Sequence, residues 1–441
     1  MSVDPVPATP AAPLLLSGGL PLWIAERPGP AILAARLVIR GGSGADPGGS
    51  RGAHQLLAGL MTRGCGDLDA EALADLIEGA GAGLRADAQE DALILGLKCA
   101  ADDASTLLPL LLRMVRQPVL ATDQFELERQ LNLQTLQRQR EDPFQLAHDL
   151  LRQALYDHGP YGHDPLGVED DLEGLSLQGL ASLVTDLGGR GAALVLCGDA
   201  PAGVGELLER ELAAAPWTTF SPRAEAAAGG QPRRGRLVSL EQDTEQLVLL
   251  LGAATVPLGH DDCLALRLLE THLGMGMSSR LFVTMREQRG LAYDVGAHLP
   301  ARCGPAPWVI HLSTSAERAA EATSCLLDEW QRLRETPLTG AELGLALAKF
   351  RGMEAMGRQT CGQIAERWAL LVGHGLPIDH LEHSLERAHQ LQASDLQAAA
   401  RRWLREPRLS LVGPAAAVTA AAEAWRHHPL SAEPSPPAKA G

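Results

Sequence analysis

The sequence predicts an α+β protein made of two homologous domains, each a mostly antiparallel sheet covered by helices. Strand-like segments are mixed with pairs of helices and do not alternate with them one to one, which argues against a doubly wound parallel sheet. The same order of elements also occurs twice along the 441 residues, in halves of about 200 residues. A length of this size suggests about two to four domains.

The first half begins with two strand-like segments that are rich in bulky apolar residues and bounded by Gly and Pro. Apolar residues at helical spacing follow them. The predicted elements of this half are strands at 21–27 and 32–40, a helix at 69–79, a strand at 92–99, helices at 104–116 and 123–157, and a strand at 192–200.

The second half repeats this order, and the prediction of a duplicated module rests on the element order alone, because no sequence identity between the halves is visible. Its predicted elements are a strand at 247–253, helices at 261–273 and 280–289, a strand at 308–315, helices at 316–335 and 341–373, and a strand at 409–414.

The domain boundary is predicted in the segment 216–236, which has no apolar periodicity and concentrates Pro, Gly, Ala and charge. This linker separates a domain at 14–215 from a domain at 237–415. Residues 1–13 are rich in Pro and Ala and are predicted to be a disordered tail, and 416–441 is predicted to be a partly disordered C-terminal extension.

Composition indicates a globular protein and excludes several partners. The net charge is −16 and no Lys/Arg-rich run occurs, so neither nucleic acid nor a membrane surface is expected as a partner. Seven cysteines without a C-x-x-C pair argue against a disulfide framework. No secretory signal or apolar stretch of about eighteen residues is present, and we expect a cytoplasmic location.

Residues 52–66 are typical of a zinc-peptidase helix that has lost its zinc chemistry. His54 stands where an H-x-x-E-H motif would begin, but Leu57 and Ala58 occupy the Glu and second His positions. One imidazole provides too little affinity to hold catalytic zinc. We therefore predict that this half binds no metal and interpret His54 as a helix residue without a role.

This helix and the stretch 273–295 resemble the pitrilysin and mitochondrial-processing-peptidase family, the insulinase-like (inverzincin) zinc metallopeptidases. In that family the two motif His and a distant Glu hold zinc, and the motif Glu is the general base. The resemblance places the distant ligand at Thr135, which cannot serve as an anionic ligand. Arg85 also stands where the family usually has Asn beside the strand that contacts substrate.

The second half departs less from the family pattern. Residues 273–295 closely match L-G-G-G-M-S-S-R-L-F followed by R-E-x-R-G-L-A-Y-S-V. The resemblance implies that Arg286 and Tyr293 reach across a clam-like chamber to the zinc-bound substrate. A guanidinium and a phenol are both donors that can stabilise the oxyanion formed when water attacks a carbonyl. The alternative is a solvated Arg286 and a Tyr293 in the core.

Three further patterns have simpler explanations. The segment 274–278 resembles a phosphate loop but lacks the trailing Gly-Lys-Ser/Thr, and Ser278 or Ser279 is a suitable helix N-cap. A histidine-rich segment has spacings that would suit a metal site, but a solvated helix surface is the favoured interpretation; its residues are His380, His383, Glu386 and His389. His158 and His163 lie in a Gly/Pro turn and carry no functional prediction.

The resemblance implies a half-chamber, and family members without the zinc motif commonly pair with a zinc-bearing subunit. The leading hypothesis is therefore a non-zinc subunit of a heterodimeric processing-peptidase-like metalloendopeptidase. It would bind peptide and supply Arg286 and Tyr293 to the zinc site of a paralogous partner, with no cofactor of its own. One alternative is a non-catalytic structural, assembly or peptide-binding protein of the same fold. Another is a self-sufficient zinc peptidase with displaced ligands.

Overall fold

The computed structural model describes residues 12–29, 31–219 and 230–432, which form two sheets and their covering helices. Most strand pairs are antiparallel, so the predicted α+β class is confirmed. Nearly all of the predicted tail 1–13 lies outside the described residues, as do parts of the predicted linker 216–236 and of the extension 416–441.

The first half of the sequence supplies six strands and nine α-helices in the described residues. The strands are β1 (Leu14–Leu15), β2 (Pro21–Glu26), β3 (Ile32–Arg40), β4 (Gly83–Ala88), β5 (Ala92–Ala100) and β6 (Ala192–Gly198). The helices are α1 (Ala53–Met61), α2 (Ala70–Gly79), α3 (Ala104–Leu107), α4 (Leu110–Arg116), α5 (Thr122–Gln139), α6 (Pro143–Tyr156), α7 (Glu169–Gly174), α8 (Leu177–Asp186) and α9 (Val204–Ala214).

The second half supplies five strands, seven α-helices and one π-helix, again counted over the described ranges. The strands are β7 (Leu237–Glu241), β8 (Gln246–Ala254), β9 (Asp294–His298), β10 (Pro307–Ser315) and β11 (Arg408–Gly413). The α-helices are α10 (Cys263–Gly274), α11 (Ala319–Glu335), α12 (Gly340–Met356), α13 (Cys361–Gly373), α14 (His380–Ala388), α15 (Ala393–Trp403) and α16 (Ala415–His427), and the π-helix is Phe282–Gln288.

The two sheets have the same topology. The first has the strand order β1-β2-β6-β3-β5-β4 and the second has the order β7-β11-β8-β10-β9. In each sheet one pair is parallel, β2 with β6 and β7 with β11, and the pairs that follow are antiparallel. The five strands of the second sheet therefore repeat the last five of the first, which agrees with the repeated element order predicted from the sequence.

The chain forms two compact units, and neither is continuous in sequence. Unit 1 contains the described residues of Met1–Gln137, His163–Ala227 and Met353–His383, and unit 2 contains those of Arg138–Gly162, Ala228–Gly352 and Ser384–Gly441. Each unit thus includes a segment from the other half of the sequence. The predicted domain boundaries, 14–215 and 237–415, describe continuous halves and stay a prediction.

In unit 1 the first sheet is buried on both faces. Strand side chains alternate between the faces, so Leu37 and Leu194 point into the larger apolar cluster, which includes α1. Val38 and Val195 point into a second cluster that is completed by α13, through side chains such as Trp368. Polar contacts fix this helix: Nε of Arg36 donates to Glu366 at 2.6 Å and Nη2 of Arg40 donates to the Val372 carbonyl at 2.7 Å.

In unit 2 the second sheet is covered by α6, a helix that belongs to the first half of the sequence. This helix packs on β8 and β11, and the Tyr156 hydroxyl donates to the Pro305 carbonyl at 2.8 Å. Elsewhere in the unit, the rings of Trp308 on β10 and Trp330 on α11 meet edge to face at 5.2 Å. The helix α6 therefore has the same relation to β8 and β11 that α13 has to β3 and β6.

Two predicted long helices are each two helices in the structure. The predicted helix 123–157 breaks at Asp142, whose side chain caps α6 by accepting from the Phe144 N–H, while Pro143 fits the first helical position. The predicted helix 341–373 breaks before Thr360, which forms a capping box with Gln363 at the start of α13. The short edge strands β4 and β9 were not predicted.

No helix in the described part of the chain is both long and apolar enough to cross a membrane.

Three histidines cluster where α6 meets the second sheet. The ring centroids of His148 and His298 are 5.1 Å apart, and those of His298 and His311 are 6.2 Å apart. Phe144 packs edge-on against His311 at 5.2 Å. Gly296 lies opposite His311 in the sheet, and a Cβ there would come within 2.7 Å of the imidazole ring. A glycine is therefore needed to make room for the ring.

Burial keeps these imidazoles neutral. Burial, with a smaller contribution from the charge of Arg152, lowers the pKa of His148 to about 4. Burial, with smaller contributions from His148, His311 and Arg302, lowers the pKa of His298 to about 3. Burial also lowers the pKa of His311, although Asp294 opposes the shift. The unfolded chain, with histidine pKa values near 6.5, binds protons in a pH range where the folded chain does not.

We expect the stability of the protein to fall as the pH falls from about 6.5 towards 4. Each proton that only the unfolded chain binds contributes a slope of about 1.4 kcal/mol per pH unit. Urea unfolding at pH 7, 6, 5 and 4.5 measures this slope, and the variant His298→Gln should show a shallower one because it lacks one titrating ring. Equal slopes for the variant and the wild type would contradict this prediction.

Candidate functional site

The helix α1 presents His54 to a carboxylate from the preceding loop. Asp46 accepts hydrogen bonds from the N–H groups of Gly52 and His54 at 2.7 and 2.9 Å, which caps the helix. Nδ1 of His54 also donates to Asp46 at 2.6 Å, and the two side chains are only 5% and 1% exposed. His54 therefore belongs to a buried polar cap, and the interpretation that it has no functional role stays a prediction.

The positions that would hold the general base and the second ligand belong to the core. Leu57 and Ala58 are both fully buried and lie in the larger apolar cluster of unit 1, together with Leu56 and Leu60 of the same helix. Neither side chain has an atom that can coordinate a metal or move a proton. These two positions of α1 therefore contribute apolar packing and supply neither a metal ligand nor a general base.

The third predicted position, Thr135, lies on α5, and its hydroxyl donates to the Leu131 carbonyl of the same helix at 2.8 Å. Two turns earlier, the buried Glu128 accepts from Nε of Arg63 at 2.6 Å, just after α1. Between them lies Asn132, whose buried Nδ2 has no partner in the described residues. The carboxylate of Glu128, close to α1, thus forms an ion pair with Arg63.

Arg85 lies on β4, at the outer edge of the first sheet. Its guanidinium donates to Glu366 of α13 at 3.0 Å, so Glu366 binds both Arg85 and Arg36. At the end of the same strand, the side chain of Gln55 accepts from the Ala88 N–H at 2.9 Å. Arg85, at the edge-strand position where the family usually has Asn, is therefore ion-paired with Glu366.

The structure brings Arg286 and Tyr293 together. Arg286 lies on the π-helix, and its Nη1 donates to the Tyr293 carbonyl at 3.1 Å. The guanidinium carbon also lies 4.8 Å from the centre of the Phe282 ring and 5.0 Å from that of the Tyr293 ring. Tyr293 is 78% exposed, which excludes the alternative of a core tyrosine. Two exposed donors thus lie side by side, held by cation–π contacts.

The rest of the 273–295 motif anchors this pair. Gly274 ends α10 against β9, where any side chain would collide with the backbone of Ala297. Lys349 of α12 donates to the Met275 carbonyl at 2.6 Å. The start of the loop 274–278 is therefore packed against elements of unit 2 and requires a glycine at position 274, whereas Gly276, Met277 and Ser278 are exposed.

Arg280 is the buried centre of the motif, with a side chain that is only 8% exposed. It lies 3.2 Å from Glu342 on α12 and 3.7 Å from Glu329 on α11. Burial raises the pKa of Glu329. Burial also acts to raise the pKa of Glu342, but hydrogen bonds from Thr339 and the charge of Arg280 outweigh it and lower this pKa to about 2. Ion pairs of Arg280 thus connect the 273–295 motif to α11 and α12.

The other histidine-containing segments have ordinary surroundings. His380 and His383 lie on α14, where His383 is 3.6 Å from Asp379. His163 contacts the neighbouring Asp164 carbonyl at 2.9 Å, and His158 is exposed beside Asp157.

Two family models match the chain. The insulinase model, peptidase family M16, matches residues 24–167, and the model of the peptidase M16 inactive domain matches residues 189–350. Among curated proteins, an uncharacterized zinc protease of Streptomyces coelicolor is 26% identical over 316 residues, which are 68% of this chain and 67% of that protein. One of Mycobacterium tuberculosis is 27% identical over 321 residues, 70% of this chain and 72% of that protein.

Two solved structures share the fold. The peptidase M16 inactive domain from Pseudomonas fluorescens has a TM-score of 0.83 at 22% identity and covers 91% of this chain and 98% of its own. A protease from Helicobacter pylori has a TM-score of 0.83 at 18% identity and covers 93% and 100%.

We expect Arg280→Ala to destabilise the protein by about 3–5 kcal/mol, because it leaves the buried carboxylate of Glu329 without its nearest cation and removes the ion pair of the partly exposed Glu342. The exposed Arg286→Ala, six residues on, should change the free energy of unfolding by no more than about 0.5 kcal/mol. Urea unfolding monitored by circular dichroism measures both values. A loss of less than about 1 kcal/mol in Arg280→Ala would show that the network does not anchor the motif.

Proposed function

The chain belongs to the peptidase M16 family, and on this premise we propose that it is the non-zinc subunit of a two-subunit metallopeptidase. In this proposal a paralogous partner carries the zinc and the general base. This chain binds the peptide substrate and places Arg286 and Tyr293 at the partner's zinc site. The observation that carries the proposal is a contrast between two sites. The zinc-motif positions Leu57 and Ala58 are buried in the core, whereas Arg286 and Tyr293 are exposed and lie side by side.

The loss of zinc from this chain is supported by side-chain chemistry. Catalytic zinc in proteins has three protein ligands and an open position. Here Leu57 and Ala58 are buried hydrocarbon, and Thr135 is bonded to its own helix. His54 alone remains, and its Nδ1 is engaged by Asp46. This chain therefore needs the metal of another subunit to hydrolyse a peptide by the family's chemistry.

The Arg–Tyr pair suits the stabilisation of an oxyanion. Nη1 of Arg286 donates to the Tyr293 carbonyl, and the aromatic contacts restrict the guanidinium. The remaining N–H groups of the guanidinium and the Tyr293 hydroxyl are donors for a substrate carbonyl. As water adds to that carbonyl, the growing negative charge on its oxygen strengthens both hydrogen bonds. Preorganised donors of this kind contribute on the order of a hundredfold in rate.

The strand β4 is the surface that we propose for the peptide. It is the outermost strand of the first sheet beyond β5 and its residues Gly83 to Asp87 are exposed or half-exposed. An extended peptide can add to such an edge through main-chain hydrogen bonds, with little demand on its sequence. Arg85 on this strand would favour acidic groups on the bound peptide.

We expect Arg286→Ala to lower kcat of the reconstituted enzyme by about a hundredfold, and Tyr293→Phe to lower it in the same direction. The zinc-bearing partner is isolated by pull-down from native extract, identified by an intact H-x-x-E-H motif, and co-expressed with each variant. Arg289→Ala, which removes a neighbouring exposed arginine, is the matched control and should leave kcat unchanged.

An unchanged kcat in Arg286→Ala, with the complex intact by size-exclusion chromatography, would contradict the catalytic role. That result would favour the structural or assembly function, which requires the complex but neither of the two donors.

We also expect the purified chain alone to contain close to no zinc and its complex with the partner to contain about one zinc per heterodimer. Inductively coupled plasma mass spectrometry on both samples measures this content. About one zinc per chain in the isolated subunit would contradict the division of labour and would favour the alternative of a peptidase with displaced ligands.

A further inference from the structure

Two cysteines from distant parts of the sequence lie against each other in unit 1. Cys197 is on β6, and Cys361 is the first residue of α13. Both belong to the second apolar cluster, and burial together with the neighbouring Cys361 thiol raises the pKa of Cys197. The Sγ atom of Cys361 lies 3.4 Å from the point where a Cβ on Gly198, the residue after Cys197, would be. The two cysteine side chains thus lie together where α13 meets β6.

Other buried cysteines of the chain have different surroundings. Charged side chains are the electrostatic neighbours of Cys65, Cys99, Cys263 and Cys325, and none of these four interacts with a second thiol in the described residues. Among the buried cysteines in the described residues, Cys197 and Cys361 are thus the two that influence each other, where α13 meets the first sheet.

We propose that Cys197 and Cys361 are an oxidisable dithiol, which forms a disulfide when the protein meets hydrogen peroxide. Nothing in the sequence indicated this pair, because the two cysteines are far apart in the chain and no C-x-x-C spacing is present. The proposal is independent of the peptidase role, since it concerns neither the Arg–Tyr pair nor a partner.

The reaction proceeds in two balanced steps. Cys361 is the more exposed of the two, at 5% against 0%, and it lies in the first turn of a helix, so it meets the peroxide first. Its sulfur attacks one peroxide oxygen; an S–O bond forms, the O–O bond breaks, and the released hydroxide takes the thiol proton to leave as water. Cys361 is then a sulfenic acid.

In the second step the Cys197 sulfur attacks the Cys361 sulfur. The S–S bond forms, the S–O bond breaks, and the departing hydroxide takes the Cys197 proton. Two thiols and one peroxide thus give one disulfide and two water molecules. Burial, together with the neighbouring Cys361, raises the pKa of Cys197 to about 12, so the Cys197 proton has to leave as the S–S bond forms.

The disulfide would tie α13 to the first sheet by a covalent bond. It closes a loop of about 160 residues, and a crosslink across so long a loop removes many conformations from the unfolded chain. Oxidation should therefore raise the urea concentration at which unit 1 unfolds, and reduction should reverse the change.

The full-length chain, treated with a small excess of hydrogen peroxide and then with catalase, tests the proposal. Thiol titration in denaturant should fall from seven thiols per chain to five. Digestion without a reductant should give one crosslinked peptide pair, containing Cys197 and Cys361, with two hydrogens fewer than its parts. Treatment with dithiothreitol should restore seven thiols.

Three variants sharpen the test. Cys197→Ser and Cys361→Ser should each lack the crosslink and the oxidation-dependent rise in the unfolding midpoint. Cys325→Ser, which removes a buried thiol outside the pair, should fall from six thiols to four. The proposal would be overturned if the wild-type chain kept seven thiols after oxidation, or if the disulfide mapped to other cysteines. Both results come from the wild-type chain, so they do not depend on whether the variants fold.

Discussion

The burial of both faces of each sheet is the constraint on which this structure depends. Strands such as β3 and β8 are apolar on both sides, and a sheet of this kind needs a cover on each face. The helices that follow the strands in sequence cannot supply both covers. The second cover of each sheet is a helix from the other half of the sequence, α13 for the first sheet and α6 for the second.

The same demand for apolar contact applies to α1. Leu57 and Ala58 stand where the sequence predicted a degenerate zinc motif, and both are buried in the core of unit 1. The N-terminus of the helix still needs partners for unpaired N–H groups, and Asp46 supplies them together with a bond to His54. The helix is thus held by apolar packing along one face and by a polar cap at its N-terminus.

The elements with strong local signals are predictable from the sequence. The predicted long apolar strands agree with the structure within a few residues, and the resemblance of 273–295 to the family motif put Arg286 and Tyr293 into one prediction. The edge strands β1, β4, β7 and β9 were not predicted, because they are short and carry exposed side chains. The predicted helix 123–157 merged α5 with α6 because the apolar spacing continues across Asp142 and Pro143, although this dipeptide is a helix start.

The contacts that could not be predicted are those between residues distant in sequence. Glu329 and Glu342 each have a partner that is set by the fold, and nothing in their local sequence distinguishes them from solvated acids. The aromatic packing of Arg286 depends on the π-helix, whose extra residue per turn has no clear signature in the sequence. Local patterns thus specify the elements, while the pairings that hold the motif depend on tertiary structure.

The exchange of α6 and α13 has a consequence for biogenesis. A ribosome delivers the six strands of the first sheet early, but α13 ends only at Gly373. The first sheet therefore waits with one apolar face uncovered while most of the chain is made, whereas α6 is already present when the second sheet emerges. The first sheet is thus synthesised early but is covered on both faces only late in synthesis. During this interval we expect a chaperone that shields apolar surface to bind it.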